Sequence, residues 1–346
     1  MPVAGISYGD FGTCLYNGTS LSEKENQMKT LLRTDRLLQF LLVLVVMLVA
    51  RPAFGQPQNI AGVNSSRNPG KPVTIPLTIR LKEERQPELQ NIDLVVSEDG
   101  EPQTILSIRG EGNSPITLAL LIQEDLVPSV ANETKPLAEF IRRLPKGSRI
   151  MIGYLRTGSL QVKQKFTTDL EKAANTLRPP AGFASVGPYN PYVEVIVALK
   201  RFDAQPLGRR AILLIWDGLD ISRGVDSSSP TQSVDLQRAI TEAQRRSVAI
   251  YGFYAPTAAA ASSPILAGNA QSSLLRLSNE TGGHAFFQGL GVPVSFDPFI
   301  KELDISLGRQ AALTFLSTHL NKGFHRIEIS SATPGIKVNH PSGYIR

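Results

Sequence analysis

The sequence predicts an α/β fold built on a doubly wound, mostly parallel sheet. The uninterrupted apolar run at 116–122, ITLALLI, is typical of a strand buried on both faces of a parallel sheet. From there to residue 307, short apolar runs alternate with segments of helical periodicity, which implies right-handed crossover connections. Strand-like runs before and after this region predict a small β-rich module. It would be formed from both ends of the mature chain, which is the part left after the expected removal of residues 1–55.

The alternation places each element of an α/β domain over 113–309. After the first strand, KPLAEFIRRL carries Leu137, Phe140 and Ile141 at helical spacing. Strands are then predicted at 149–155, 160–166, 211–216, 248–253 and 284–287, and helices at 169–177, 192–202, 234–246, 271–280 and 296–307.

The two ends of the mature chain consist of short runs with strand-like patterns. Over 72–112, the runs VTIPLTIRL, IDLVVS and PQTILSIR surround Asp99-Gly100, a pair that predicts a hairpin turn. Over 310–346, LTFLST, HRIEIS and IKVNH predict a β-hairpin segment. Because isolated hairpins are marginal in water, we expect both ends to share one sheet beside the α/β domain.

Residues 1–55 are expected to be an N-terminal extension and a signal peptide. Lys29, Arg33 and Arg36 precede the apolar run LLQFLLVLVVMLVA at 37–50, and small residues at 53 and 55 predict cleavage after Gly55. The run is shorter than the roughly 20 apolar residues that cross a bilayer, so no stable transmembrane anchor is expected. The start is expected at Met28, because the polar stretch before it serves no export function. Residues 56–71 predict a flexible leader, and the mature protein should be periplasmic or secreted.

Composition excludes several classes of function. The net charge is +6, but 36 Lys and Arg are scattered among 30 Asp and Glu, so no nucleic-acid partner is expected. The single cysteine, Cys14, lies in the segment expected to be removed, which leaves no disulfide, thiolate metal site or cysteine nucleophile.

Chemistry in such a sheet is expected just after the strands, at their carboxyl ends. The segments are QEDLVPS at 123–129, SVGPYN at 185–190 and WDGLD at 216–220. The first has no glycine, which excludes a dinucleotide or P-loop site, and GFASVG at 182–187 has the wrong spacing for a serine-hydrolase elbow. The four histidines show no metal-binding spacing, so none is assigned a role.

The order of these segments resembles the von Willebrand factor A (VWA) domain, and more narrowly the VWFA-related acidobacterial domain. The resemblance runs from about residue 92 to the C terminus. It rests on LVVSEDGEPQTI, AILLIWDGLD, EAQRRSVAIYGF, LSNETGGHAFF and HRIEISSATPGIKVNHPSGYIR. It implies an adhesion site in which Mg²⁺ is held by Asp-x-Ser-x-Ser after the first strand, a Thr from a middle loop and an Asp after the fourth strand.

This chain departs from that ligand pattern. Asp217 matches the last ligand, but the first motif reads Gln123-x-Asp125-x-Val127, with an amide and a valine where the family has Asp and Ser. The resemblance therefore implies a degenerate site. No cofactor is expected, and at most Mg²⁺. As an alternative to metal binding, Asp217-Gly218 can simply form a turn.

Two further readings of the metal pattern stay open. The middle loop offers Tyr189 or Asn190 in place of the Thr. A site shifted by two residues would use Asp125 and Ser129, but it requires the strand to extend through Glu124.

These inferences together predict an exported, non-enzymatic, adhesion-type interaction domain with weak or lost metal dependence. Its partner would be a protein or an extracellular polymer, and the oligomeric state is left open. Candidates for ligand contact are Tyr189, Asn190, Trp216 and Asp220, although Trp216 could instead pack under its loop. The alternatives are a metal-dependent hydrolase using Asp125, Asp217 and Asp220, and a structural subunit of an envelope complex.

Overall fold

The computed structural model describes residues 70–81, 92–110, 112–156, 158–182 and 190–346. All described residues belong to one compact unit, which spans 67–346. The expected export signal and most of the expected leader lie outside the described residues. Within the described ranges, none of the helices combines the length and the apolar character that a membrane span needs.

The described residues form thirteen strands and seven α-helices. In chain order, the strands are β1 (Lys71–Leu81), β2 (Leu94–Glu98), β3 (Glu101–Arg109), β4 (Thr117–Gln123), β5 (Arg149–Arg156), β6 (Ser159–Thr167), β7 (Arg210–Trp216), β8 (Ala249–Tyr254), β9 (Ala285–Phe286), β10 (Gln310–Ser317), β11 (Phe324–Ser331), β12 (Ile336–Asn339) and β13 (Gly343–Ile345). The helices are α1 (Thr134–Arg142), α2 (Leu170–Ala174), α3 (Pro191–Lys200), α4 (Val234–Arg246), α5 (Ala258–Ser262), α6 (Pro264–Glu280) and α7 (Asp297–Gly308).

A six-stranded sheet forms the centre of the α/β region, in the order β6-β5-β4-β7-β8-β9. All neighbouring pairs are parallel except β5 and β6. The first strand of the region lies in the middle, and the chain winds outward from it in both directions. The predicted doubly wound, mostly parallel sheet is therefore confirmed. The loop between β5 and β6 is too short for a crossover, so this pair has to be antiparallel.

Helices cover both faces of this sheet. Every residue of β4 and of β7 is buried, as the apolar runs predicted. Successive residues of β4 point to opposite faces: Leu120 packs in the core with α1, α2 and α7, whereas Leu121 packs in the core with α3, α4 and α6. Helix α6 begins earlier than predicted, because Ser263 caps it and Pro264 occupies its first turn.

A separate seven-stranded sheet is antiparallel throughout, in the order β12-β1-β10-β3-β2-β11-β13. Its strands come from before and after the α/β region. Strands β2 and β3 form the predicted hairpin, in which Asp99 (φ 50°) and Gly100 (φ 88°) make the turn. Within 310–346, β11 pairs antiparallel with β13, and the other partners of these strands come from before the α/β region. Strand β10 lies between β1 and β3, and β11 lies between β2 and β13.

Candidate functional site

The central pair of parallel strands brings two predicted site segments together. Strand β4 ends at Gln123 and the neighbouring β7 ends at Trp216, so Gln123 and Asp217 lie side by side. The chain leaves these two strands in opposite directions. This is the switch point at which doubly wound sheets have their ligand crevice.

The Gln123 side chain joins the two loops that follow these strands. Its Nε2 donates to Asp125 Oδ1 at 2.9 Å, and its Oε1 accepts from the Asp217 backbone N–H at 3.0 Å. Gln123 is only 1% exposed. A neutral amide, at the position that corresponds to the first Asp of the predicted metal site, therefore bridges Asp125 and the position of the last Asp.

The Asp217 carboxylate is buried and hydrogen-bonded within the protein. Its Oδ1 accepts from the Leu219 N–H at 3.0 Å, and its Oδ2 accepts from the Thr257 hydroxyl at 2.8 Å. Gly218 has φ +77°, and a Cβ there would lie 2.7 Å from the Ala270 carbonyl oxygen, so the turn requires glycine. The Asp-Gly pair thus forms the turn that was the alternative to metal binding.

Burial dominates the electrostatics of this site. Burial, together with the charge of the neighbouring Asp125, raises the pKa of Asp217 to about 7, although hydrogen bonds from Leu219 and Thr257 act to lower it. Burial also raises the pKa of Asp125. Tyr254 is buried, and its hydroxyl has no hydrogen-bond partner among the described residues. Burial, followed by the charge of Asp217, raises the pKa of Tyr254 to about 12. The site therefore disfavours negative charge.

Thr257 belongs to this site, and the sequence analysis did not identify it. It caps helix α5, and a β-bridge pairs it with Leu126 in the loop after β4. The available signal was a Thr directly before the helix-forming run AAAA, which is typical of an N-cap. The link to Asp217 depends on the neighbouring positions of β7 and β8, which the local sequence does not encode.

We expect Thr257→Val to lower the free energy of unfolding by about 1–3 kcal/mol, because a buried oxygen of Asp217 loses its donor. Thr257→Ser keeps the hydroxyl and should cost less. Urea unfolding of the three proteins measures the difference. Equal losses in both variants would show that the methyl group, and not the hydroxyl, is what matters.

The alternative triad of Asp125, Asp217 and Asp220 does not converge. Asp220 accepts from Ser222, through the backbone N–H at 3.1 Å and the hydroxyl at 2.5 Å, so it shapes its own loop. Across the described residues, only Glu98, Asp99 and His319 bring three potential metal-ligand atoms within 4.8 Å of one another. Among the described residues, these three aspartates of the alternative hydrolase reading do not form a common metal cluster.

The shifted metal site is not favoured either. Strand β4 ends at Gln123 and does not extend through Glu124, and Ser129 is exposed in the 3₁₀ turn Pro128–Glu133. Glu124 is instead held by Arg178 and by the Ala181 N–H at 2.8 Å. Burial alone would raise the pKa of Glu124, but these donors hold it below its ordinary value.

Two of the predicted contact residues have structural roles. Trp216 is fully buried, edge-on to Tyr192 at 5.1 Å between ring centroids, so its ring is not available to a ligand and the expectation of contact is corrected. Asn190 caps α3 by accepting from the Tyr192 N–H at 3.2 Å, and it donates to Asp235 at 2.7 Å. Tyr189 lies outside the described residues.

Exposed apolar side chains lie in the loops and helix starts that follow β7, β8 and β9. We call this set the apolar rim: Val225, Ile265, Leu290, Val292 and Val294. Val294 is 96% exposed and Ile265 is 70% exposed. Hydrogen bonds from Asn269 to Ser228 and from Gln271 to the Gly289 carbonyl hold these segments together. The rim therefore extends along the same edge of the sheet as the Gln123 bridge.

The donor atoms at the Gln123 bridge do not fit a Mg²⁺ site well. Mg²⁺ requires near-octahedral oxygen coordination. Here Val127 has no side-chain oxygen, Gln123 directs its nitrogen at Asp125, and both oxygens of Asp217 accept hydrogen bonds from the protein. This arrangement fits a self-contained hydrogen-bonded turn.

No protein-family model matches the chain, and no curated protein matches it. Among solved structures, the chain is similar to the conserved hypothetical protein BatB from Bacteroides thetaiotaomicron, with 12% identity and a TM-score of 0.39, over 56% of this chain and 97% of that chain. It is also similar to an aerotolerance-related membrane protein from Bacteroides fragilis NCTC 9343, with 10% identity and a TM-score of 0.37, over 56% and 98% of the two chains. The SpRpn10 VWA domain is similar at 13% identity and a TM-score of 0.38, over 56% and 98%. At these identities the likeness concerns the fold alone.

Proposed function

We propose that this chain is an exported, non-enzymatic interaction protein whose VWA-type domain binds a partner protein through its strand-end loops without depending on a cation. The observation that carries the proposal is the Gln123 bridge between Asp125 and the Asp217 backbone. The resemblance implies that a cation joins these loops in other members. In this chain a neutral amide joins them.

Further contacts hold the strand-end loops in place. The Val127 N–H donates to the Pro256 carbonyl at 3.1 Å, and Leu126 pairs with Thr257. The loops after β4, β7 and β8 are thus linked by hydrogen bonds within the chain. A preorganised surface loses less entropy on binding, so no ion is needed to order it.

The apolar rim supports a protein as the partner. Single exposed apolar residues are common on protein surfaces, but here five of them lie in consecutive strand-end segments. Exposed apolar groups grouped at a polar edge are typical of protein interfaces. An extracellular polymer remains the alternative partner, and export with cleavage after Gly55 is part of the proposal.

The test is a pull-down from envelope extracts with the native chain and two charge variants, each with and without EDTA. We expect Val294→Glu to lose the captured partner and EDTA to have no effect. Leu207→Glu is the matched control, because Leu207 is 74% exposed but precedes β7, at the opposite edge of the sheet. Loss of the partner in EDTA, or equal loss in both variants, would contradict the proposal.

A calorimetric titration of the native chain with Mg²⁺ and Ca²⁺ should show no tight site at the Gln123 bridge. The side chains of Gln123, Asp125 and Asp217 already make hydrogen bonds within the protein, so they are poorly placed to bind an ion. Asp217→Ala should leave partner binding largely intact. A micromolar Mg²⁺ site that Asp217→Ala abolishes would instead favour the shifted site with Asp125 and Ser129.

A further inference from the structure

A second group of polar side chains lies on the antiparallel sheet, at the β2–β3 turn. Glu98 ends β2, Asp99 begins the turn, and His319 follows β10. One potential ligand atom from each of the three lies within 4.8 Å of the others. The sheet pairing brings these residues together from opposite ends of the sequence.

Glu98 presents a buried oxygen toward His319. The Glu98 side chain is fully buried, and its Oε1 accepts from the Ser317 hydroxyl at 2.9 Å and the Tyr344 hydroxyl at 2.5 Å. Its Oε2 has no hydrogen-bond partner among the described residues, and the same is true of His319 Nδ1, which lies 3.4 Å from it. A buried carboxylate oxygen without a partner is costly, so this pair of atoms indicates a missing ligand.

The charges of the group favour a cation. His325 contacts Asp99 Oδ2 through Nδ1 at 2.8 Å and the Asn321 carbonyl through Nε2 at 2.9 Å. Three carboxyl groups, those of Glu98, Asp99 and Glu101, therefore lie around the two imidazole rings at this turn, and carboxyl oxygens are ligands for a cation.

We propose that Glu98, Asp99 and His319 bind one divalent transition-metal ion, with Zn²⁺ preferred. Two ligands at about 2.0–2.1 Å from a tetrahedral Zn²⁺ lie roughly 3.3 Å apart. The 3.4 Å between Glu98 Oε2 and His319 Nδ1 matches this spacing. An imidazole combined with carboxylates suits Zn²⁺ better than Mg²⁺ or Ca²⁺, which favour all-oxygen sites.

Neighbouring groups orient each ligand. Glu101 Oε2 lies 3.6 Å from His319 Nε2, while the other ring nitrogen, Nδ1, faces Glu98. Ser317 and Tyr344 hold Glu98, and the Arg326 N–H donates to Asp99 at 2.8 Å. Three protein ligands leave one position open for water.

The bound ion joins the β2–β3 turn to the segment after β10. These two segments are far apart in sequence, so the ion binds the folded sheet and not the unfolded chain. Binding that is selective for the folded state raises its stability by mass action.

The experiment uses the full chain without an affinity tag, stripped of metal and titrated with Zn²⁺ against a chromogenic chelator. We expect one equivalent to bind and to raise the midpoint of thermal unfolding. His319→Ala should lose this binding, and the exposed Glu101→Gln should weaken it about 10–100-fold, as expected for a residue that orients a ligand.

Controls separate this site from other sources of Zn²⁺ binding. Cys14→Ser removes the only thiol, and His284→Ala removes a histidine outside the group; both should bind as the native chain does. Circular dichroism checks the fold of each variant. If the native chain binds no Zn²⁺, or if His319→Ala and Glu101→Gln both bind with native affinity, the proposal is wrong and Glu98 and His319 are only an ion pair.

Discussion

Replacing Gln123 by Asp should lower the free energy of unfolding by about 3 kcal/mol or more in EDTA. The shorter side chain cannot keep the hydrogen bonds to Asp125 and to the Asp217 N–H. It also places a third carboxylate beside two whose pKa values burial already raises. Gln123 is 1% exposed, so water cannot compensate the added charge.

Adding Val127→Ser to this variant should create a response to Mg²⁺. The double variant introduces, at these two positions, the Asp and Ser that the resemblance to the VWA pattern implies. A ligand at about 100 times its Kd stabilises the folded state by about 2.7 kcal/mol. Urea unfolding in EDTA and in millimolar Mg²⁺ measures the response. Gln123→Ala is the control, because it removes the bridge without adding a ligand and should not respond. A native chain that gains as much stability from Mg²⁺ as the double variant would contradict our account of the bridge.

The fold was predictable where a local pattern has one physical solution. The run at 116–122 had to be a strand buried on both faces, and β4 is buried at every position. The Asp99-Gly100 pair predicted a two-residue turn, because such a turn requires positive φ at both positions and this pair tolerates it. Both residues do adopt positive φ. The pairing of β10 with β1 and β3 was not predictable, because sequence neighbours such as β10 and β11 could equally have formed a hairpin.

The candidate site was predictable in part for the same reason. The carboxyl ends of neighbouring parallel strands share one edge, which brings Gln123 and Asp217 together. The direction of each side chain was not predictable: Trp216 ends a strand buried on both faces and therefore points into the core. His319 showed no local metal spacing, because its proposed partner Glu98 reaches it only through the pairing of the antiparallel sheet.

Burial destabilises the charged form of Asp217 in the strand-end loops, although hydrogen bonds surround its carboxylate. In a cation-dependent site, a charged carboxylate is stabilised by the ion. Here the hydrogen bonds around Asp217 come from Leu219, Thr257 and the neighbouring amide, and burial still raises its pKa to about 7. The negative charge on Asp217 therefore lowers the free energy of unfolding at neutral pH. Replacing Asp217 by a neutral residue tests how these loops are held.

Asp217→Asn should be more stable than the native chain above about pH 7, by up to roughly 4 kcal/mol. The pKa of an unfolded Asp is about 3.9, whereas that of folded Asp217 is about 7. Between these values the folded state binds more protons than the unfolded state, so the stability of the native chain falls as pH rises through this window. Asn stays neutral, keeps an oxygen for the Leu219 N–H and can donate to the Thr257 hydroxyl. Urea unfolding from about pH 5 to about pH 8 should therefore show a gain that grows with pH. Exposed Asp93→Asn is the control and should show no such growth. If Asp217→Asn instead destabilises the chain equally at every pH, the fold requires a charged carboxylate at this position, and a cation-held turn becomes the better explanation.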